Sequence, residues 1–319
     1  MDKLNSIQSL RGIAVLFVAL SHVGFISFGA FGVDLFFCIS GFIMMFITEK
    51  TTNHFFAKRL IRIVPLYWLV TTMVFVLVMI KPGLLNSTTA DYTHYFKSLF
   101  FIPFDKNGYI EPILGPGWTL NYEMFFYFVF FLSLLVSFRY RGLILSMVFV
   151  FLVLFGALFE GSMYWDFYTN PIILEFCFGI LAYYLIKKDF SVSFSLGVLC
   201  ILVLIFVCLF IRIREFEDLR FLLWGLPMFL VFLVAVKINL CFYGSSVLEK
   251  IGDASYSIYL THLFVILGVD RLLFSMKSLS LGSAVVAILS IAVSVIIGFL
   301  VYRLVELPIH RYLSVRVFK

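Results

Sequence analysis

Residues 8–22, QSLRGIAVLFVALSH, decide the fold of this chain and carry its first functional signal. The apolar run is typical of a membrane-spanning helix, and it holds Arg11 near one end and His22 near the other. Their spacing corresponds to roughly 16 Å along an α-helix and brings the two side chains to within about 20° of one another. The stretch therefore predicts a helix that shows a cation and an imidazole on one face, one towards each side of a bilayer.

The composition of the whole chain indicates an integral membrane protein. Of its 319 residues, 63% are hydrophobic and only 13% are charged, whereas soluble domains contain about one quarter charged residues. The formal charge of +6 is typical of cytoplasmic loops beside membrane lipids, and no nucleic-acid partner is predicted from it. The five cysteines show no metal-binding or redox spacing, so neither a metal site nor a disulfide is predicted.

The apolar segments predict an all-α polytopic membrane protein with about ten transmembrane helices. A single integral-membrane domain is expected to cover residues 1–319, without an appended soluble domain. One long connection, 81–116, contains a predicted interfacial or re-entrant segment at 92–103. The predicted spans are 7–28, 31–48, 63–80, 117–137, 142–159, 171–186, 194–211, 220–236, 254–271 and 282–302.

The distribution of basic residues predicts the orientation of these spans. If the N-terminus is cytoplasmic, about two thirds of the 24 lysines and arginines fall on the inner side, as the positive-inside rule requires. An even number of spans then places both termini in the cytoplasm. With this orientation Arg11 lies in the inner half of the first span and His22 in its outer half. Ionisable residues inside a span are expensive and indicate a functional site, although an interfacial anchor is the alternative for each of them.

Two carboxylates are predicted to lie at the depth of His22. Glu123 follows Trp118 in residues 115–127, GPGWTLNYEMFFY, at the outer end of the fourth span. Pairing with the imidazole would hold one tautomer and prepare a general base, whereas a structural contact between helices is the alternative. Asp34, in FGVDLFFCISGF, is a second candidate for the same catalytic task, or a partner of the helix dipole.

Basic residues cluster at the inner mouth of the third span. Residues 57–68, AKRLIRIVPLYW, contain Lys58, Arg59 and Arg62. Arg59 and Arg62 are i,i+3 neighbours and are expected to share a helix face. Paired guanidiniums match phosphate oxygens, so this segment predicts a phosphate site, although a positive-inside cluster is the alternative.

The ninth predicted span carries a histidine in the apolar run SYSIYLTHLF. His262 either belongs to a substrate pocket or is a buried, hydrogen-bonded histidine that ties helices together. Glu175 in the sixth span is a weaker candidate, and no role is predicted for His54, His94 or His310.

Five of these segments together resemble the membrane acyltransferase-3 family, whose members transfer acyl groups to sugars of bacterial surface polysaccharides. The matching segments occur in the family's order over nearly the whole chain, and the chain looks most like the short exopolysaccharide acetyltransferases of that family. The segments are SLRGIAVLFVALSH, FGVDLFFCISGF, RLIRIVPLYW, WTLNYEMFFY and SYSIYLTH.

The resemblance implies an O-acetyltransferase of the bacterial cytoplasmic membrane. It implies acetyl-CoA as the donor, used as a co-substrate rather than as a resident cofactor. The acceptor would be a sugar hydroxyl of a surface polysaccharide or of its lipid-linked precursor. His22 would activate that hydroxyl or be acylated first, and the residue types alone leave both routes open.

The resemblance also assigns roles to residues of this chain. Arg11 and His22 match the family's essential pair, and Arg59 and Arg62 match its cytoplasmic arginine motif. Further expected site residues are Lys58 beside the donor, Glu123 and Asp34 in catalysis, and a substrate pocket formed by Trp118, Tyr122 and His262.

A transporter or flippase for a lipid-linked sugar or a small organic ion is the competing class. Intramembrane Arg, His and Glu side chains suit a substrate or proton path equally well. The sequence shows no inverted repeat and no matched pair of broken helices, which such transporters typically have. A non-catalytic partner of a polysaccharide synthase is the third reading.

Overall fold

The computed structural model describes residues 5–24, 28–81, 91–106, 108–188, 191–211, 217–238, 246–275 and 283–318. Nearly all of the regular structure in these ranges is helical, which confirms the predicted all-α class. One two-residue antiparallel hairpin pairs β1, Asp105–Lys106, with β2, Tyr109–Ile110. The α-helices are α1 (Asn5–Ser21), α2 (Gly32–Lys50), α3 (Phe55–Ile80), α4 (Tyr92–Leu99), α5 (Trp118–Val136), α6 (Arg141–Leu158), α7 (Met163–Tyr168), α8 (Leu174–Ile186), α9 (Phe194–Phe210), α10 (Leu226–Lys237), α11 (Ser246–Asp253), α12 (Ser255–Ser275), α13 (Ser283–Val301) and α14 (Leu307–Val317).

The helices differ in how well their length and composition suit a bilayer. Three apolar helices of the described chain, α1, α9 and the stretch Phe221–Lys237, are shorter than a full span. The predicted number of about ten spans therefore stays a prediction. Within the described ranges, six stretches are long and apolar enough to cross a membrane: Gly32–Lys50, Phe55–Ile80, Gly115–Val136, Arg141–Leu158, Met163–Ile186 and Ala284–Val317.

The outward faces of these helices carry large apolar side chains. On α3, Met73 is 57% exposed and Ile80 is 76% exposed. On α6, Phe151 and Leu154 are likewise exposed. A soluble protein rarely leaves contiguous apolar surface of this kind open to water, so these faces are suited to contact with lipid.

The first helix ends earlier than the predicted span 7–28. Its last residue is Ser21, whose hydroxyl donates to the carbonyl of Val18 at 2.8 Å. His22 Nδ1 lies 2.9 Å from the same carbonyl oxygen. Side chains that hydrogen-bond to a helix carbonyl in this way compete with the backbone N–H that would continue the helix. His22 therefore lies just beyond the end of α1. Its side chain is exposed. Residues 25–27 of the predicted span lie outside the described residues.

Glycines bring α2 and α8 into close backbone contact. A Cβ atom added at Gly41 would meet the carbonyl oxygen of Phe176, and one added at Gly179 would meet that of Cys38. Small residues at a membrane helix interface allow this approach, which van der Waals packing then stabilises. The contact fixes α2 between α8 and α1, and α1 packs in turn against α11 and α12.

The predicted interfacial segment at 92–103 contains the short helix α4. Asp91 caps this helix by accepting hydrogen bonds from the backbone N–H groups of Thr93 and His94. The ring of His94 is buried, with Nε2 2.8 Å from the carbonyl oxygen of Glu111. Trp68 of α3 donates to the carbonyl of Leu99 at 2.7 Å. These contacts hold the long connection against α3, close to the start of α5.

Candidate active site

A cavity lies between α1, α2, α3, α5 and α12 and encloses about 740 Å³ with its open mouth included. Apolar side chains of α2 and α5 form much of its wall. Its described polar lining consists of Arg11, Ser40, Arg59, Arg62, Thr119, Glu123, Tyr127, Ser255, Tyr256 and Tyr259.

Arg11 enters the cavity from α1 and is held at both ends of its guanidinium. Nη2 donates to the hydroxyl of Ser255 on α12 at 2.9 Å, and Nη1 lies 3.4 Å from Oε1 of Gln8. The side chain is only 8% exposed. A cation buried to this degree needs compensating charge or an anionic ligand. The carboxylates that act on it are those of Glu306 and Glu123.

Arg59 and Arg62 of α3 line the same cavity. Their predicted placement on one helix face is thereby confirmed. Nε of Arg59 is buried and has no hydrogen-bond partner among the described residues. Lys58, by contrast, lies over the ring of Phe318, with Nζ 5.5 Å from the ring centre, and is not part of the lining. The described lining thus holds three guanidiniums but one carboxylate, a balance that favours an anionic ligand.

Glu123 lies in this cavity rather than beside His22. Its Oε1 accepts a hydrogen bond from Ser40 at 2.9 Å and another from Tyr127 at 2.5 Å. The predicted pairing of Glu123 with the imidazole is therefore not the arrangement that the structure shows. The reason is geometric, because α5 turns this carboxylate towards α2 and the arginines.

Asp34 also has a different partner from the one predicted. Both of its oxygens bind Arg220, with Nη2 to Oδ2 at 2.8 Å and Nε to Oδ1 at 3.1 Å. Asp34 is fully buried, and a bidentate guanidinium is the partner that a buried carboxylate accepts best. This pairing replaces the predicted contact between Asp34 and His22. Arg220 was not among the predicted site residues, since nothing in its local sequence marks it.

His22 meets His262 of α12. The distance from His22 Nδ1 to His262 Nε2 is 3.3 Å, and the rings meet edge to face with centroids 4.8 Å apart. His262 is fully buried, and its Nδ1 lies 2.6 Å from the carbonyl oxygen of Tyr259. Arg11 and His22 both turn towards α12, which confirms that they share one face of the first segment.

The other predicted pocket residues stand outside the lining of the cavity. Trp118 lies 5.7 Å from the Arg220 guanidinium and supports the ion pair with Asp34. Tyr122 stacks on Phe167 with ring centroids 4.0 Å apart. The rings of Trp118 and Tyr122 contact each other, with centroids 6.0 Å apart, whereas His262 contacts Tyr259. A substrate pocket formed by Trp118, Tyr122 and His262 stays a prediction. Tyr122 packs in the core between α5 and α7.

Tyr259 connects the cavity with the histidine pair, and the sequence analysis missed it. Its hydroxyl donates to the carbonyl of Pro116 at 2.9 Å and lies 2.7 Å from Thr119 Oγ1. Its ring lines the cavity, while its carbonyl oxygen faces His262. The sequence feature that could have indicated Tyr259 is its position three residues before His262, because residues at this spacing share one helix face.

The arrangement separates an anion-binding region from a histidine pair along two helices. Arg11 meets Ser255 at the start of α12, and two turns further along α12 His262 meets His22, just beyond the end of α1. Clustered positive charge that favours an anion, together with an imidazole that can accept a proton, suits group transfer. Fold and site together define a multi-pass membrane protein with a transferase-like centre.

Comparison with known proteins identifies the family. The acyltransferase domain family matches residues 4–303, and the chain belongs to this family. It is similar to the exopolysaccharide production protein ExoZ of Rhizobium meliloti, with 33% identity over 93% of this chain and 95% of the relative. It is also similar to the peptidoglycan O-acetyltransferase OatA of Listeria monocytogenes, with 26% identity over 98% of this chain but 57% of that protein.

A third relative is a putative acetyltransferase of Acidianus two-tailed virus, which is 28% identical over 84% of this chain and 85% of its own length. No solved structure matches the chain. The predicted resemblance to membrane acyltransferases is thus confirmed, and the protein is a membrane-embedded acyltransferase.

Proposed function

We propose that this protein is an O-acetyltransferase that moves an acetyl group from cytoplasmic acetyl-CoA to a sugar hydroxyl of a surface polysaccharide or of its lipid-linked precursor. The names of two relatives, an exopolysaccharide production protein and a peptidoglycan O-acetyltransferase, support a polysaccharide acceptor. The proposal includes about ten spans in the bacterial cytoplasmic membrane, with both termini inside.

The observation that carries the proposal is the convergence of Arg11, Arg59 and Arg62 in one cavity. Acetyl-CoA carries several phosphate groups, and a guanidinium binds a phosphate through paired hydrogen bonds. The buried and unpartnered Nε of Arg59 offers one such donor. Lys58, in the first turn of α3, would attract the phosphate groups of the donor at long range rather than contact them within the cavity.

The thioester would reach His22 along α1. The two ends of this track, Arg11 and His22, are about 16 Å apart along the helix axis, a separation suited to the extended pantetheine arm of the donor. The arm would pass Tyr259, whose ring lines the cavity and whose carbonyl oxygen contacts His262. Thr119, which is hydrogen-bonded to Tyr259, adds a hydroxyl near this passage.

In direct transfer, His22 accepts the proton of the sugar hydroxyl as its oxygen attacks the thioester carbonyl carbon. The new C–O bond forms and the C–S bond breaks, and the imidazolium then returns its proton to the departing thiolate. Free coenzyme A and the O-acetyl sugar are the products. If His22 is acylated first, the same carbon is transferred twice, and the proton balance is unchanged.

The test is acetyl transfer from labelled acetyl-CoA by the purified full-length protein, with an oligosaccharide fraction from the host's own surface polysaccharide as acceptor. Wild type is expected to transfer label, and His22→Ala is expected to lose about 100-fold or more in rate. His94→Gln, another histidine change at a site remote from the cavity, is the matched control. Transfer by His22→Ala at the wild-type rate would refute the role of His22.

A further inference from the structure

Two backbone carbonyl oxygens determine which ring nitrogen of His22 and of His262 carries a hydrogen, because a carbonyl oxygen only accepts hydrogen bonds. His22 Nδ1 lies 2.9 Å from the carbonyl oxygen of Val18, and His262 Nδ1 lies 2.6 Å from that of Tyr259. Each of these nitrogens must therefore carry a hydrogen. A neutral imidazole has one N–H, so the Nε2 atom of each ring carries a lone pair instead.

The relation between the two rings follows from this assignment. The N–H at Nδ1 of His22 points towards the lone pair on Nε2 of His262, 3.3 Å away, and is shared with the carbonyl of Val18. The hydroxyl of Ser21 lies 3.3 Å from the same Nδ1 and completes its surroundings. The Nδ1 side of His22 is thus fully occupied, and Nε2 is the nitrogen that remains free to react.

We propose that His262 is a positioning residue that holds His22 with Nε2 as its reactive nitrogen and stabilises the imidazolium that forms there. The carbonyl of Val18 fixes the proton on Nδ1. His262 adds a second acceptor for that proton, and its edge-to-face contact fixes the ring plane. This proposal rests on the proposed function only in so far as His22 is the reacting group.

The surroundings of His262 favour such a role over a purely structural one. His262 is fully buried, yet its Nε2 is directed at an exposed residue beyond the end of α1 rather than at another buried group. Among the described residues, His22 is the titratable group that acts on it. An acceptor behind an imidazole N–H is the arrangement that makes a histidine a stronger base in catalytic triads. Here a neutral ring supplies the acceptor where triads use a carboxylate.

The proposal predicts different outcomes for two substitutions at one position. His262→Gln keeps a side-chain acceptor that can reach His22, whereas His262→Leu fills the space without one. His262→Leu is expected to lower kcat by about 100-fold with the KM for acetyl-CoA unchanged, and to move the acid limb of the kcat profile to lower pH. His262→Gln is expected to keep most of the wild-type kcat and to keep the acid limb of the kcat profile at its wild-type pH. His94→Gln and His94→Leu are the matched pair at another buried histidine.

A chemical readout keeps the proposal separate from the proposed function. Diethyl pyrocarbonate modifies unprotonated histidine, so the pH dependence of its reaction with His22, followed by mass spectrometry, reports the basicity of that ring without any enzymatic turnover. In wild type and His262→Gln the midpoint is expected at higher pH than in His262→Leu. Equal midpoints in all three would overturn the positioning role, as would a lowered kcat with an unmoved limb in folded His262→Leu. Absence of acetyl transfer by wild type would refute the proposed function alone.

Discussion

The ion pair between Arg220 and Asp34 gives the sharpest prediction about stability, tested by Arg220→Leu. Arg220 joins the start of the π-helical turn Phe221–Gly225 to the first turn of α2. Its substitution removes two hydrogen bonds to Asp34, at 2.8 and 3.1 Å, and one to the carbonyl of Ala30 at 3.4 Å. Asp34 has no exposed surface through which water could replace them.

The expected loss of stability is large because the remaining carboxylate stays buried. Removing one partner of a buried ion pair typically costs about 3–5 kcal/mol. Glu175 is also fully buried and interacts with Asp34, but it supplies no cation that could take the place of Arg220. We therefore expect a loss within that range for Arg220→Leu.

Thermal unfolding of the detergent-purified protein, followed by tryptophan fluorescence, measures the effect. The double variant Asp34→Leu with Arg220→Leu is expected to regain most of the lost stability, because it removes both charges together. Lys187→Leu breaks the exposed pair with Glu49 and is the matched control, with an expected change of about 0–1 kcal/mol. If Arg220→Leu were no less stable than this control, the buried pair would not hold the start of α2 against the turn that precedes α10.

Three further changes test the donor site, the helix packing and the long connection. The double variant Arg59→Ala with Arg62→Ala is expected to raise the KM for acetyl-CoA at least 10-fold and to weaken its salt dependence, measured by initial rates at several ionic strengths. Gly41→Ala is expected to destabilise by about 1–3 kcal/mol in the same unfolding assay, because its Cβ meets the carbonyl oxygen of Phe176. Burial lowers the pKa of His94. The native state therefore binds fewer protons there than the unfolded state, and stability is expected to fall as pH drops below about 6.5. His94→Gln is expected to remove that part of the pH dependence.

Local periodicity was sufficient for the features that lie on one helix. The spacing of Arg59 and Arg62 placed both in one cavity. The spacing of Arg11 and His22 turned both towards α12, although His22 lies just beyond the end of α1. These predictions succeeded because the rotation per residue of an α-helix is nearly constant. The end of α1 could not be predicted in the same way, because an apolar run does not indicate that the hydroxyl of Ser21 donates to a helix carbonyl.

The pairing of charges between distant segments was not predictable from the sequence. Asp34 and Glu123 both lie near the start of an apolar helix. The predicted orientation put both at the depth of His22, and depth alone made each a candidate partner for it. In the structure, Asp34 instead forms an ion pair with Arg220. Glu123 accepts hydrogen bonds from Ser40 and Tyr127. Such choices depend on which faces of packed helices meet, and a single sequence contains no direct record of that.

The two contacts of α12 explain why the cavity and the histidine pair belong to one site. Along α12, Ser255 and His262 are about 10 Å apart, whereas Arg11 and His22 are about 16 Å apart along α1. The long side chain of Arg11 reaches Ser255 while it still lines the cavity. Because the same two helices carry both contacts, a shift of either helix is expected to alter both of them. If Arg11 binds the donor as proposed, donor binding would then be coupled mechanically to the position of His22.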